Sequence, residues 1–161
     1  MKFYAVLFTF LCILLLWSCD SGLRPEPDKT SYLKGTILYV DSLANWPPAD
    51  SIMDLRAVAF KNFPPASLLE EVLTGRAYFT LESLPTFVDS ANFTLEIKDA
   101  PVTLNYIAVA QQFGGLMDWR VVGIYSLIKD SAATLKIEQG KTYNIKINVD
   151  FKNLPKQPFV Q

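Results

Sequence analysis

Histidine is absent from this chain of 161 residues. Because histidine is the usual general base near neutral pH and a common metal ligand, Ser-His-Asp and Cys-His catalysis are excluded within the chain. No glycine-rich phosphate loop is present either, since Gly114-Gly115 is an isolated pair in a predicted turn. These absences favour a protein that is not an enzyme, and we expect neither a metal nor a cofactor.

Cysteine is almost as scarce, with Cys12 and Cys19 as the only two. Both lie near the N-terminus, so the rest of the chain can form neither a disulfide nor a thiolate zinc site. A surplus of one charge is also missing, because 15 basic and 16 acidic side chains give a net charge of −1 without a long run of either sign. Nucleic-acid binding needs a basic face or stripe, so no nucleic-acid partner is predicted.

The longest hydrophobic run covers residues 3–17 and follows the positive charge of Lys2. It falls short of the roughly 20 residues that a transmembrane helix needs, but it suits the hydrophobic region of a signal peptide. The run ends in Leu16-Trp17-Ser18-Cys19, which resembles a bacterial lipobox, where an aliphatic, a variable and a small residue precede cysteine. The resemblance implies cleavage after Ser18 and a diacylglycerol on the Cys19 thiol. An uncleaved signal anchor and a secretory signal with an incidental cysteine are the alternatives.

Composition divides the chain into four parts. Residues 1–18 are predicted to be a lipoprotein signal peptide, 19–33 a polar tether, 34–154 one folded domain and 155–161 a tail. A protein held by a lipid on Cys19 would lie in a bacterial cell envelope. We expect it on the outer membrane, at the periplasmic or the surface face.

Alternating apolar and polar residues predict β-strands throughout the domain. The eight predicted strands are Lys34–Val40, Asp54–Lys61, Arg76–Leu81, Asn92–Lys98, Val102–Gln111, Asp118–Leu127, Ala133–Ile137 and Thr142–Phe151. The second strand shows little contrast between its two faces, which predicts burial on both sides, and Gly123 predicts a bulge or a close backbone approach. Residues 66–73 are predicted to form two helical turns. The pattern as a whole predicts an all-β fold, an antiparallel β-sandwich of seven to eight strands.

Several short segments carry a family resemblance. They are Gly35-Thr36-Ile37, Asn45-Trp46-Pro47, Arg56-Ala57-Val58-Ala59-Phe60, Tyr106-Ile107-Ala108-Val109-Ala110, Trp119-Arg120-Val121-Val122-Gly123-Ile124-Tyr125 and the final strand from Ile145 to Phe151. With them, residues 34–154 resemble small bacterial domains of the carboxypeptidase regulatory-like and transthyretin-like group. The resemblance implies a Greek-key sandwich with a binding or supporting role and without catalytic residues.

Trp46 and Trp119 are the candidate ligand-binding residues, because exposed tryptophans can stack on sugar rings or anchor a protein partner. The alternative is that both rings pack against the core. We therefore predict a lipid-anchored, non-catalytic binding or scaffolding module with an envelope protein as its partner, or alternatively a carbohydrate-binding lipoprotein that uses both rings. A third hypothesis, a hydrolase with paired carboxylates, would draw on acids such as Asp41, Asp54 and Glu71. The repeated Asp-Ser pairs favour turns over calcium sites.

Overall fold

The computed structural model describes residues 29–128 and 131–159. The strands found there are β1 (Ser31–Tyr39), β2 (Asp54–Phe60), β3 (Ala77–Phe79), β4 (Ser90–Ile97), β5 (Val102–Leu104), β6 (Tyr106–Gln112), β7 (Trp119–Ile124), β8 (Ser126–Ile128), β9 (Ser131–Ala132), β10 (Leu135–Ile137) and β11 (Thr142–Val149). One α-helix, α1 (Leu68–Leu73), and two 3₁₀ turns, Ser42–Asn45 and Ala49–Ser51, accompany them. The predicted all-β class is confirmed, and the helix forms within the predicted residues 66–73. No helix in these two ranges is long and apolar enough to cross a membrane.

Seven strands form one sheet in the order β3-β2-β6-β7-β11-β1-β4, and β5–β10 and β8–β9 form two small sheets. The large sheet curls into a nearly barrel-shaped, sandwich-like fold. Its strand pairs are antiparallel except for β1 and β11, which run parallel. The expectation of a purely antiparallel sheet is therefore corrected to a mixed one. Alternation of apolar and polar residues indicates which face of a strand is buried. It does not distinguish parallel from antiparallel pairing, because side chains alternate in both.

Two hydrophobic clusters lie on the two faces of this sheet. The inner cluster fills the curled sheet, and the outer cluster covers its outside at β2, β6 and β7. Strand β2 contributes to both, with Leu55 and Ala57 in the inner cluster and Val58 and Phe60 in the outer one. The predicted burial of this strand on both sides is confirmed.

Helix α1 and the C-terminal residues cover the outer cluster. The Ser67 hydroxyl caps the helix by accepting a hydrogen bond from the Glu70 backbone N–H at 3.2 Å. Phe159 packs against the outer cluster, and the Gln157 amide bonds both the N–H and the carbonyl of Val121, at 2.8 and 3.0 Å. Residues 155–159 of the predicted tail are thus docked on the sheet.

Other bounds differ from those that the sequence predicted. Strand β1 begins at Ser31, inside the predicted tether, and the single strand predicted at Val102–Gln111 is divided at Asn105. There the Asn105 side-chain amide donates to the Lys61 carbonyl at 2.6 Å, so the chain turns from the small sheet into β6. The bulge expected at Gly123 is confirmed, because the pairing of β6 with β7 shifts register between Val109 and Ala110. A Cβ on Gly123 would lie 2.7 Å from the Asn148 carbonyl oxygen, which is the expected close approach.

Candidate functional site

Trp46 lies in an aromatic cluster at one end of the curled sheet. Its ring centroid is 4.4 Å from that of Tyr39, 4.8 Å from Phe151 and 5.2 Å from Phe87. The indole N–H donates to the Val88 carbonyl at 3.3 Å, and the half-buried ring packs against the inner cluster. Trp46 therefore closes the end of the core, as the packing alternative expected.

Neighbouring residues hold this ring in place. Asp150 accepts hydrogen bonds from the side chains of Asn153 and Asn45, both at 2.8 Å, and from two backbone N–H groups. These bonds, that of Asn153 foremost, lower the pKa of Asp150 to about 2. Phe87 is held at a positive φ of 59° with its ring against Trp46, a conformation that a bulky residue rarely adopts. The loops around Trp46 are fastened by specific contacts, which suits a structural role for the ring.

Trp119 lies on the other face of the sheet, where its half-buried ring packs against the outer cluster. It lines an open groove of about 420 Å³ between α1, the turn after β6 and the C-terminal residues. Its indole N–H donates to the Leu116 carbonyl at 2.9 Å. Arg120, beside it, places its guanidinium 5.2 Å from the Phe113 ring centroid and donates to the Gln111 side chain at 3.0 Å.

The two tryptophans do not form a common platform, because they belong to clusters on opposite faces of the sheet. A sugar ring stacked on one could not stack on the other. The arrangement of the two rings therefore adds no support for the carbohydrate-binding alternative, which still rests on the sequence alone.

Two of the acidic side chains that the hydrolase hypothesis would use, Asp54 and Glu71, are engaged in ion pairs. Asp54 binds the Arg56 guanidinium at 2.6 Å and accepts from the Ser83 hydroxyl at 2.6 Å. Glu71 is only 2% exposed and binds Arg76 at 3.0 Å, so the hydrogen bond from Arg76 lowers its pKa. Across the two described ranges, no group of three His, Cys, Asp or Glu side chains could hold a metal ion. These carboxylates support the packing of their own loops.

A third polar cluster ties β3 to the turn after β4. Lys61 binds the Asp99 carboxylate at 2.6 Å, and the Tyr78 hydroxyl donates to the same carboxylate. The ammonium of Lys61 also lies 5.0 Å from the Tyr78 ring centroid. Burial and the Asp99 contact raise the pKa of Tyr78, so this hydroxyl stays protonated at neutral pH.

The two ends of the curled sheet differ in their surface. We define the loop end as residues 40–53, 81–89 and 113–118, which connect strands at the same end as Trp46. These three loops carry eight of the fourteen large apolar side chains that are exposed within the described residues. They also carry five acidic side chains and no basic one. A surface that combines apolar and acidic groups suits a partner with apolar side chains bordered by basic ones.

The described residues begin at the opposite end. Strand β1 starts there, where the Gly140 N–H donates to the Lys29 carbonyl at 3.0 Å and the Tyr32 N–H to the Lys141 carbonyl at 3.0 Å. Cys19 itself lies outside the described residues, and its lipidation stays a prediction. A search against protein-family models, curated proteins and solved structures finds no match to this chain.

Proposed function

We propose that the protein is a lipid-anchored module of a bacterial cell envelope that binds or scaffolds a protein partner without catalysing a reaction. The observation that supports this most directly is the difference between the two ends of the curled sheet. Strand β1 begins at one end, and the exposed apolar side chains concentrate in the loops of the other. A lipid on Cys19 would hold the first end near the membrane and present the loop end away from it.

A binding role agrees with the surface of the loop end. Leu43, Met53, Leu116 and Met117 are each exposed by 59% or more. All four lie on loops at the same end of the sheet, and an exposed apolar patch marks an interaction site more often than scattered apolar side chains do. The acidic residues among them would favour a partner with basic side chains at the rim of the contact.

The resemblance to the carboxypeptidase regulatory-like and transthyretin-like group remains part of the proposal. It agrees with the all-β fold and with a supporting role. The outer membrane is the proposed location, with the domain on its periplasmic or surface face.

Two measurements test the proposal. Mass spectrometry of the N-terminal peptide should show an acylated Cys19, and Cys19→Ser should leave the chain unprocessed, whereas Cys12→Ser should change neither property. An acylation state that is the same in the Cys19→Ser variant would contradict the anchor.

The loop end is tested separately by photo-crosslinking in cells. A photoreactive residue at Leu43 or Leu116 should give protein adducts of defined mass, and the same residue at Leu73, which is 76% exposed at the opposite end, should not. Equal adducts from all three positions would contradict a binding surface at the loop end.

A further inference from the structure

The curled sheet does not close. Its terminal strands β3 and β4 lie at the two ends of the strand order and face each other without pairing. Strand β3 has only three residues. The chain that follows it remains hydrogen-bonded to β2, because the Thr80 N–H donates to the Ala57 carbonyl at 3.0 Å and the Leu84 N–H to the Leu55 carbonyl at 2.7 Å. Strand β4 has eight residues and pairs only with β1. Within the described residues, the other edge of β4 therefore has no strand beside it.

A groove of about 670 Å³ occupies this gap, which we call the seam. It is lined by residues 77–85 on one side and by Asn92, Phe93, Thr94, Glu96 and Lys98 on the other. Such an open edge is a template for a further strand, because no strand of the described residues pairs with its backbone N–H and carbonyl groups. At about 3.3 Å per residue β4 is roughly 26 Å long. Strand β3 approaches the end of β4 near Asp99, where the Tyr78 hydroxyl bonds the Asp99 carboxylate, so the edge is open for pairing over the part nearer the loop end.

The side chains of the seam define what the added strand would carry. Leu81, 86% exposed, offers an apolar contact beside the edge. The Glu96 and Lys98 side chains pair with each other at 3.4 Å, whereas Glu82 makes no ion pair with any side chain in the described ranges. The unpaired carboxylate of Glu82 lies at the acidic loop end, so a basic side chain complements it.

We infer that the seam binds an extended segment of a partner protein, which adds a strand to β4 and places an apolar side chain against Leu81 and a Lys or Arg against Glu82. This inference rests on the proposed binding function and names its partner class. Main-chain hydrogen bonds to β4 supply affinity, and the contacts at Leu81 and Glu82 supply selectivity.

The described residues that lead into β1 lie away from the seam. The Lys29 carbonyl accepts from Gly140, so the chain reaches β1 along β11, whereas β4 flanks the opposite edge of β1. A second copy of the chain, with its β4 paired to this one, is the competing occupant.

The test uses the full chain in detergent and two synthetic eight-residue peptides, one alternating valine with lysine and one alternating valine with glutamate. We expect the lysine peptide to bind and to slow amide hydrogen exchange in β4, and N-methylation of alternate peptide nitrogens to abolish both effects. Glu82→Gln should weaken binding by about twofold to fivefold, the range of an exposed ion pair. Leu81→Ser should weaken it further.

Matched variants serve as controls. Leu73→Ser removes an equally exposed leucine on α1, and Asp50→Asn removes an exposed loop-end acid outside the seam; both should bind as the unchanged chain does. Unchanged exchange in β4, equal binding of the glutamate peptide, or an equal loss with Leu73→Ser would overturn the inference. Dimers that protect β4 without peptide would overturn it in favour of a second copy.

The two proposals fail independently. Peptide binding in detergent does not require the lipid, so a Cys19→Ser chain that still binds would leave the seam supported even if the anchor were refuted. An acylated chain that does not bind would refute the seam alone.

Discussion

Gly35→Ala should destabilise the fold because the added methyl group would collide with a single neighbouring side chain, Phe93. Gly35 lies in the middle of β1, directly opposite Phe93 of β4. A Cβ built on Gly35 would overlap the Phe93 ring, with Cδ1 at 3.0 Å and Cε1 and Cζ closer still. Phe93 is 6% exposed and belongs to the inner cluster, so its ring has little room to move.

The expected cost follows from two opposing effects. Overpacking of a tight interior destabilises a protein by about 1–3 kcal/mol. Replacing glycine by alanine in an allowed conformation stabilises it by about 0.4–1 kcal/mol, because the unfolded chain loses conformational entropy. The φ of Gly35 lies outside the left-handed region, so this second effect applies. We expect a net loss of about 1–2 kcal/mol in the free energy of unfolding, and a decrease in Tm of several degrees for a domain of this size.

Urea denaturation and thermal unfolding measure this loss, and a double-variant cycle identifies its cause. In a Phe93→Leu background the clash is relieved, so Gly35→Ala should cost much less there than alone. Gly115→Ala is the control, because its Cβ would meet only the flexible end of the Asp118 side chain, at 3.3 Å. A Gly35→Ala chain of unchanged stability, or costs that simply add in the double variant, would refute the reasoning.

Three further predictions concern the polar and aromatic contacts of the site. Asp150 has a pKa of about 2, below its ordinary 3.8, so its contribution to stability is complete above about pH 5 and is lost as pH falls to 2; Asp150→Asn should remove this part of the pH dependence of Tm. Arg76→Ala leaves the buried Glu71 carboxylate without its counter-ion and should lower the free energy of unfolding in urea denaturation by more than Glu70→Gln does. Trp46→Ala removes an aromatic centre and should cost about 3 kcal/mol, more than Trp119→Ala, whose ring borders an open groove.

Each of these predictions has a control or a contradicting outcome. Asp50→Asn should leave the pH profile of Tm unchanged, since this exposed side chain makes no hydrogen bond within the described residues. Glu70→Gln should cost less than about 1 kcal/mol, because its pair with Arg76 at 3.1 Å is exposed. Equal losses for the two tryptophan variants would contradict their different surroundings.

Periodicity was enough to predict the fold class and the strands of the large sheet apart from their bounds, because each of these strands turns a face to the inner cluster. The two-sided burial of β2 and the bulge at Gly123 also followed from local composition. The Ser67-x-x-Glu70 spacing matches a helix capping box, and it could have located the start of α1 more closely.

The candidate site could not be predicted in the same way, since it depends on which strands become neighbours. Nothing local to Gly35 and Phe93, or to Asn45 and Asp150, indicates that they meet. Arg76 is only five residues from Glu71, but the burial of Glu71 depends on how α1 packs beside β3, and exposure of Leu81 depends on β3 ending after three residues. Long-range pairing decides these features, and one sequence does not encode it in a pattern that can be read locally.

A lipid on Cys19 would also limit where the partner can be. The residues between Cys19 and Ser31 can span at most about 40 Å when fully extended, and the nine-residue strand β1 adds roughly 30 Å. The loop end would therefore act within about 70 Å of the membrane surface. A partner that is confined to this region beside the membrane meets the loop end at a raised effective concentration. A partner that diffuses freely does not. Cys19→Ser should consequently reduce crosslinking to the partner in cells far more than it reduces peptide affinity in detergent, and equal reductions would show that tethering contributes nothing.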